Sequence, residues 1–168
     1  MSGLMAGKRG LIMGLANDKS IAWGIARACA EAGAELAFSY QGDALKKRGA
    51  PLADELGAFL AGHCDVTDDA TVDAVFAEVE ARFGAPRLAI LPIGAYRPRR
   101  FLARMHMSPE EAARAHRALR AEESLGVHWG TFQLSDEGRL DPLRDLRAAL
   151  RPGERFYTLA HGAAREVP

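Results

Sequence analysis

Residues 10–24 read Gly10-Leu11-Ile12-Met13-Gly14-Leu15-Ala16-Asn17-Asp18-Lys19-Ser20-Ile21-Ala22-Trp23-Gly24. The apolar run Gly10–Met13 has the length of a short buried strand, and Gly14 ends it. Ser20 then opens a helix over residues 20–32, on which Ile21, Ile25, Ala28 and Cys29 recur at helical spacing. Gly33 closes that helix in the position where a left-handed residue stops many helices. A strand, a glycine turn and a helix start in this order present backbone N–H groups to a nucleotide pyrophosphate. Gly14 places no Cβ in the ligand's way, Ser20 offers a hydroxyl, and Gly24 is expected to let the helix approach the sheet closely. The spacing is not G-x-G-x-x-G, so the generic dinucleotide fingerprint does not apply. Taken alone, the turn also reads as an ordinary strand-to-helix connection.

Outward from this stretch, short apolar runs alternate with amphipathic ones. Strands are expected at residues 35–40, 59–64 and 88–93. A helix over 44–56 is interrupted at Gly49 and Pro51. A second helix over 68–83 carries Val72, Val75, Phe76 and Val79 on one face, with Asp68 or Thr67 as its cap. Beyond a proline–arginine loop come a helix at 109–120 with proline in its first turn, a strand at 125–129, a helix at 142–150 and a strand at 155–159. Strands alternating with helices specify an α/β fold: an open, mostly parallel sheet with helices on both faces. The first half is Rossmann-like, and a βαβαβ fragment continues the same sheet.

The chain has 168 residues, enough for one domain. Lysine plus arginine equal aspartate plus glutamate at 22 each, so global charge points to neither nucleic acid nor an acidic membrane surface. The basic residues are unevenly placed: all four lysines (Lys8, Lys19, Lys46, Lys47) precede residue 48, and arginine alone follows. Cys29 and Cys64 form no CxxC pair and are expected to be core thiols. No apolar run reaches the length of a secretory core or a membrane span, which makes the cytoplasm the expected location.

The segments GKRGLIMGLANDKSIAWGIA, GAELAFSYQGDALKKR, CDVTD and VDAVFAEVEARFG occur in this order within residues 1–88. Together they resemble the first half of a bacterial NADH-dependent enoyl-acyl-carrier-protein reductase, a divergent short-chain dehydrogenase of fatty acid biosynthesis. The resemblance implies NADH as cofactor, held by Gly14, Ser20, Ile21, Gln41, Asp65 and Val66, with Ile93 and Gly94 beside the nicotinamide ribose. Position supports this: Gln41 follows the second strand and Asp65 the third, where the adenosine end would lie. Taken singly, Asp65 reads as a turn aspartate and Gln41 as a solvated loop residue. The family also implies a catalytic tyrosine with a lysine six residues later. No lysine follows Lys47, and the later tyrosines, Tyr96 and Tyr157, have no such partner. No catalytic residue is therefore assigned, NADH binding is expected to be weak, and the Tyr96 phenol is expected to keep an ordinary pKa.

The second half carries LPIGAYRPRRFLARMHMSPEEAARAHRAL and VHWGTFQLSDE. Over residues 89–160 it resembles the C-terminal end of metallo-β-lactamase-fold hydrolases of the N-acyl-phosphatidylethanolamine phospholipase D-like group. That resemblance implies His128 at a metal-ligand position. The HxHxDH cluster and bridging aspartate that would complete a zinc site have no counterpart in these residues, so no metal is assigned and zinc is not expected. His106 and His116 read as loop and helix-surface residues, and His63 as a scattered histidine.

The sequence thus predicts two pieces, residues 1–88 and 89–168, meeting near Leu91–Gly94. The leading function is an NADH-binding fragment of enoyl-reductase type, catalytically incomplete. The alternatives are a remnant of a zinc-dependent hydrolase and a rearranged, non-enzymatic gene product. The expected partner is a nicotinamide dinucleotide, with neither nucleic acid nor membrane; the oligomeric state stays open.

Overall fold

The computed structural model describes residues 3–166. By its internal contacts the chain divides into two compact units, Met1–Gly84 and Ala85–Pro168. Each is an α/β unit built on parallel strands.

The first unit runs β1 (Arg9–Ile12), α1 (Ile21–Glu31), β2 (Glu35–Tyr40), α2 (Gly42–Leu56), β3 (Phe59–His63) and α3 (Asp69–Phe83). The strands lie in the order β1-β2-β3. Successive residues of β2 point to opposite faces, so Leu36 and Phe38 face one helical layer and Ala37 the other. Leu36 and Phe38 pack with Leu15, Trp23, Ala26 and Ala53 beneath α1 and α2. Ala37 packs with Ala61, Cys64, Val75 and Val79 beneath α3. Between β2 and β3 the register slips: Phe38 pairs with Leu60, but Ser39 pairs with Gly62, so Ala61 has no partner. This bulge brings His63 opposite Tyr40 at the carboxyl ends of the strands.

The second unit runs β4 (Leu88–Pro92), α4 (Arg99–Leu102), α5 (Pro109–Ala118), β5 (Glu123–Val127), α6 (Asp141–Ala149) and β6 (Phe156–Thr158). Its strand order is β4-β5-β6, and its core is Ile93, Ala112, Leu146 and Phe156. A capping box starts α5: the Ser108 hydroxyl accepts the Glu111 N–H, and the Glu111 carboxylate accepts the Ser108 N–H.

Several expectations change. The described strands form two three-stranded sheets, not one continuous sheet. Helix α2 runs unbroken through Gly49 and Pro51. Pro51 forfeits one ladder donor, and the packing of Leu52, Ala53 and Leu56 on the first-unit core holds the helix together. The buried face of α1 is Trp23 and Ala26, while Ile21 and Ile25 are 85% and 51% exposed. A Cβ on Gly24 would meet nothing within 4 Å, so that glycine mediates no close approach.

Strand β5 begins two residues earlier than its apolar pattern predicts, because Glu123 and Ser124 are buried strand residues with polar partners. Glu123 pairs with Arg155 and Arg165, and Ser124 bonds to His116. His116 is accordingly a buried residue, not a helix-surface one. Pro92 causes no conflict. The Ile93 N–H donates to the Val127 carbonyl, so the Pro92 nitrogen faces the unpaired edge of its sheet. No described helix is long and apolar enough to cross a membrane.

Candidate functional site

The carboxyl ends of β1, β2 and β3 carry the first-unit residues singled out from sequence. Gly14 follows β1 with φ of 79°, a left-handed conformation that favours glycine. A Cβ there would project into open space, with no atom within 4 Å. The chain then crosses to Ser20, the N-cap of α1. Its hydroxyl donates to the Asn17 carbonyl at 2.8 Å and accepts the Trp23 N–H at 3.2 Å. Ser20 is therefore committed to the helix start, and its remaining lone pair is what a ligand would meet. The Ile21 and Ala22 N–H groups are first-turn donors with no acceptor among the described residues. The Ile21 side chain is almost wholly exposed beside them.

Gln41 and Asp65 come together. Gln41 sits at the N-cap position of α2 without capping it; its side chain lies beside the Asp65 carboxylate and favours its charged form. Asp65 Oδ1 also accepts the Thr67 N–H at 2.9 Å and the Thr67 hydroxyl at 2.7 Å. The Thr67 amide foremost, then its hydroxyl and Gln41, hold the Asp65 carboxyl below the usual carboxylate range. This is a half-buried, fixed anion beside a neutral amide, suited to accepting from an amine or hydroxyl. Val66, next in sequence, is 76% exposed and offers an apolar surface at the same rim.

Ile93 and Gly94 belong to the second unit. The Ile93 side chain is fully buried in that unit's core, so only its backbone remains for any ligand. A Cβ on Gly94 would overlap the His128 carbonyl; the glycine is explained by this close approach of two loops.

Tyr96 is buried, its phenol donating to Asp145 Oδ2 at 2.5 Å. The Arg97 guanidinium binds the same carboxylate oxygen at 2.7 Å. Burial first, and then Asp145, push the phenol well above its ordinary range. This corrects the expectation of an unperturbed tyrosine: the group is a fixed structural donor. Glu137 ties down the same loop, accepting the Ala95 and Arg97 N–H groups at 2.6 and 3.0 Å. Burial pushes its carboxyl up, but the hydrogen bonds outweigh that and hold it low.

His128 follows β5 in a left-handed conformation, φ 61°, with the His106 ring centroid 5.3 Å from its own. Among the described residues no three His, Cys, Asp or Glu side chains are grouped to share a metal ion. The residues present do not fit a zinc centre.

One residue at this rim carried no site assignment in the sequence. His63 Nδ1 accepts the Gly42 N–H at 3.0 Å, at the same rim as Gln41 and Asp65. Its only sequence signal is its place at the end of a strand, opposite Tyr40.

A family model described as enoyl-(acyl carrier protein) reductase matches residues 14–120. The chain belongs to that family. Within the enoyl reductases, enoyl-acyl-carrier-protein reductase (NADH) 1 of Rhizobium meliloti (strain 1021) is 72% identical over 83 residues, which are 49% of this chain and 30% of the relative. The form numbered 2 from the same organism is 54% identical over 94 residues, 56% of this chain and 35% of the relative. The chain thus spans about a third of the length of these relatives. In three dimensions it resembles an enoyl-(acyl-carrier-protein) reductase from Anaplasma phagocytophilum, solved in complex with NAD. The TM-score is 0.59 and the identity 31%, covering 89% of this chain and 63% of that one. The enoyl reductase FabI from Candidatus Liberibacter asiaticus gives the same TM-score at 29% identity, covering 89% of this chain and 64% of that one. The family match runs past residues 91–94, across the join predicted from sequence patterns.

Proposed function

We propose that the first unit binds NADH by its adenosine and pyrophosphate portions, and that these 168 residues do not complete an enoyl reductase. The Gln41–Asp65 pair carries this reading. It sets a low-pKa carboxylate and a neutral amide at the carboxyl ends of β2 and β3, where a doubly wound sheet takes its ligand. The open space at Gly14 and the two unsatisfied N–H groups of α1 suit a pyrophosphate. NADH-dependent relatives support the choice of dinucleotide. When bound, NADH supplies a hydride. The chain's own part is then to hold the base through Asp65 and Gln41, line it with Val66, and cradle the phosphates at Gly14, Ser20 and Ile21.

Catalytic incompleteness rests on two features. No lysine follows Lys47, so none orients a nicotinamide ribose from beside a later tyrosine. Tyr96 is locked to Asp145. The division into an enoyl-reductase piece at 1–88 and a differently derived piece at 89–168, hydrolase-like in its sequence, is part of the same proposal. No zinc step is derived. With nicotinamide-side contacts reduced, the dissociation constant is placed near about 1 mM, or about −4 kcal/mol. Titration of the purified chain with NADH and with ADP-ribose tests this: both saturate at similar concentrations on this reading, and a flat response to both sinks it.

A further inference from the structure

His63 has no role in the site as read from sequence, yet it connects its parts. It ends β3, and the unpartnered Ala61 in the ladder sets it opposite Tyr40, with ring centroids 6.3 Å apart. From there Nδ1 accepts the Gly42 N–H, so in the neutral ring the proton is on Nε2. Gly42 is left-handed, φ 72°, and is the hinge by which the chain leaves β2 for α2. The residue before it is Gln41. With no capping bond of its own, Gln41 depends on that hinge for its direction. Its side chain lies beside Asp65, which Thr67 anchors independently. The links close a ring: from the end of β3 to Gly42, back to Gln41, and across to the loop that follows β3.

We propose that His63 is a positioning residue for the adenosine end of the dinucleotide: by accepting the Gly42 N–H it fixes the left-handed turn that holds Gln41 against Asp65. The inference rests on the cofactor reading above. The charged group that acts on the imidazole is the Asp65 carboxylate, while the Lys46 ammonium lies over the neighbouring Tyr40 ring, 5.6 Å from its centroid. His63 is itself exposed, so its hydrogen bond contributes little to global stability. Its effect is preorganisation: without it Gln41 and the turn must be ordered as the ligand binds, at a cost in affinity.

The test uses the purified chain and its His63→Ala and His63→Asn variants, titrated with NADH and with ADP-ribose and followed by amide NMR, which reads millimolar constants. The Asn side-chain oxygen stands close to where Nδ1 stands and accepts the same N–H. His63→Ala is expected to weaken both ligands by the same factor, about three- to tenfold, the worth of one hydrogen bond. His63→Asn is expected to return within about twofold of wild type, with all melting temperatures close. Equal affinity in wild type and His63→Ala overturns the proposal. So does an Asn variant as weak as Ala, or a loss confined to NADH. Hydrogen exchange at the Gly42 amide, read without ligand, separates the two readings: slow in wild type and Asn, fast in Ala. If no ligand saturates but this pattern holds, the cofactor reading falls and His63 holds only the turn. If Gly42 exchanges equally in all three, the positioning role falls by itself.

Discussion

Tyr96 and Asp145 share a 2.5 Å hydrogen bond across 49 residues of sequence, and Arg97 binds the same carboxylate oxygen. The bond fastens the loop after β4 to helix α6 and keeps the phenol from any chemistry of its own. Tyr96→Phe is expected to cost about 1 kcal/mol in urea unfolding, the usual net worth of one such bond. In wild type the tyrosinate absorbance of this residue should be missing from an alkaline titration that ionises exposed tyrosines. With NADH and a crotonyl thioester neither protein should turn over. Oxidation of NADH that requires the thioester and vanishes in Tyr96→Phe would mean the second unit supplies an acid after all.

At Gly14, valine would place a branched side chain in the open space assigned to the pyrophosphate, at a φ that a β-branched residue rarely adopts. Gly14→Val is expected to abolish NADH binding and to lower stability by about 1–3 kcal/mol. Gly14→Ala separates the two effects. If it melts near wild type yet binds NADH more weakly, obstruction is the cause. Wild-type affinity in both variants would remove Gly14 from the site.

Gly94 offers a contrast, since its missing Cβ is required by a carbonyl of its own unit. Gly94→Ala forces the β4 and β5 exit loops apart and should destabilise the second unit by about 2–4 kcal/mol, an overpacking penalty against backbone that cannot rotate away. Thermal melting or urea unfolding reads it. A melt unchanged from wild type would show that the two loops separate freely.

Acid should weaken the second unit through His116. Burial lowers the pKa of this imidazole, whose Nδ1 bonds to the Ser124 hydroxyl at 2.8 Å. Below about pH 6.5 the histidine of the unfolded chain takes up a proton while the folded one stays neutral. Stability is therefore full above that pH and falls as the pH drops, until the depressed folded value is reached. Glu137, whose folded pKa is also lowered, adds a loss in the same direction at lower pH, in the carboxylate range. The urea midpoint should fall between pH 7.5 and 5.5, and His116→Gln should flatten that part of the profile. A slope unchanged in the variant would assign it elsewhere.

Much of this was legible in the sequence where one residue type serves one physical need. Gly33 and Asp68 behave as terminators and caps do, and the valines of α3 face its core. The placement of Gln41 and Asp65 at neighbouring strand ends followed from the order of a parallel sheet. What the sequence hid depends on partners far along the chain. Glu123 and Ser124 look unlike strand residues until Arg155, Arg165 and His116 are placed beside them. Ile21 and Ile25 show the reverse: their spacing is that of a buried face, yet Trp23 and Ala26 take that role because Trp23 fills the space beside Leu15 and Phe38. His63 gave no signal, since its partner is a backbone amide and its place depends on a bulge.

Glu137 sets an order of assembly. The first unit has every described strand and helix it needs once residue 84 has been made, and during synthesis N-terminal pieces fold first. The loop after β4 is different. Its amides at Ala95 and Arg97 wait for a carboxylate 42 and 40 residues downstream. On a translating ribosome, a chain from which Pro98 has emerged but Glu137 has not holds a finished first unit and a β4 loop whose polar groups still belong to water. Proteolysis of stalled chains should find residues 94–98 open to cleavage until Glu137 has left the exit tunnel.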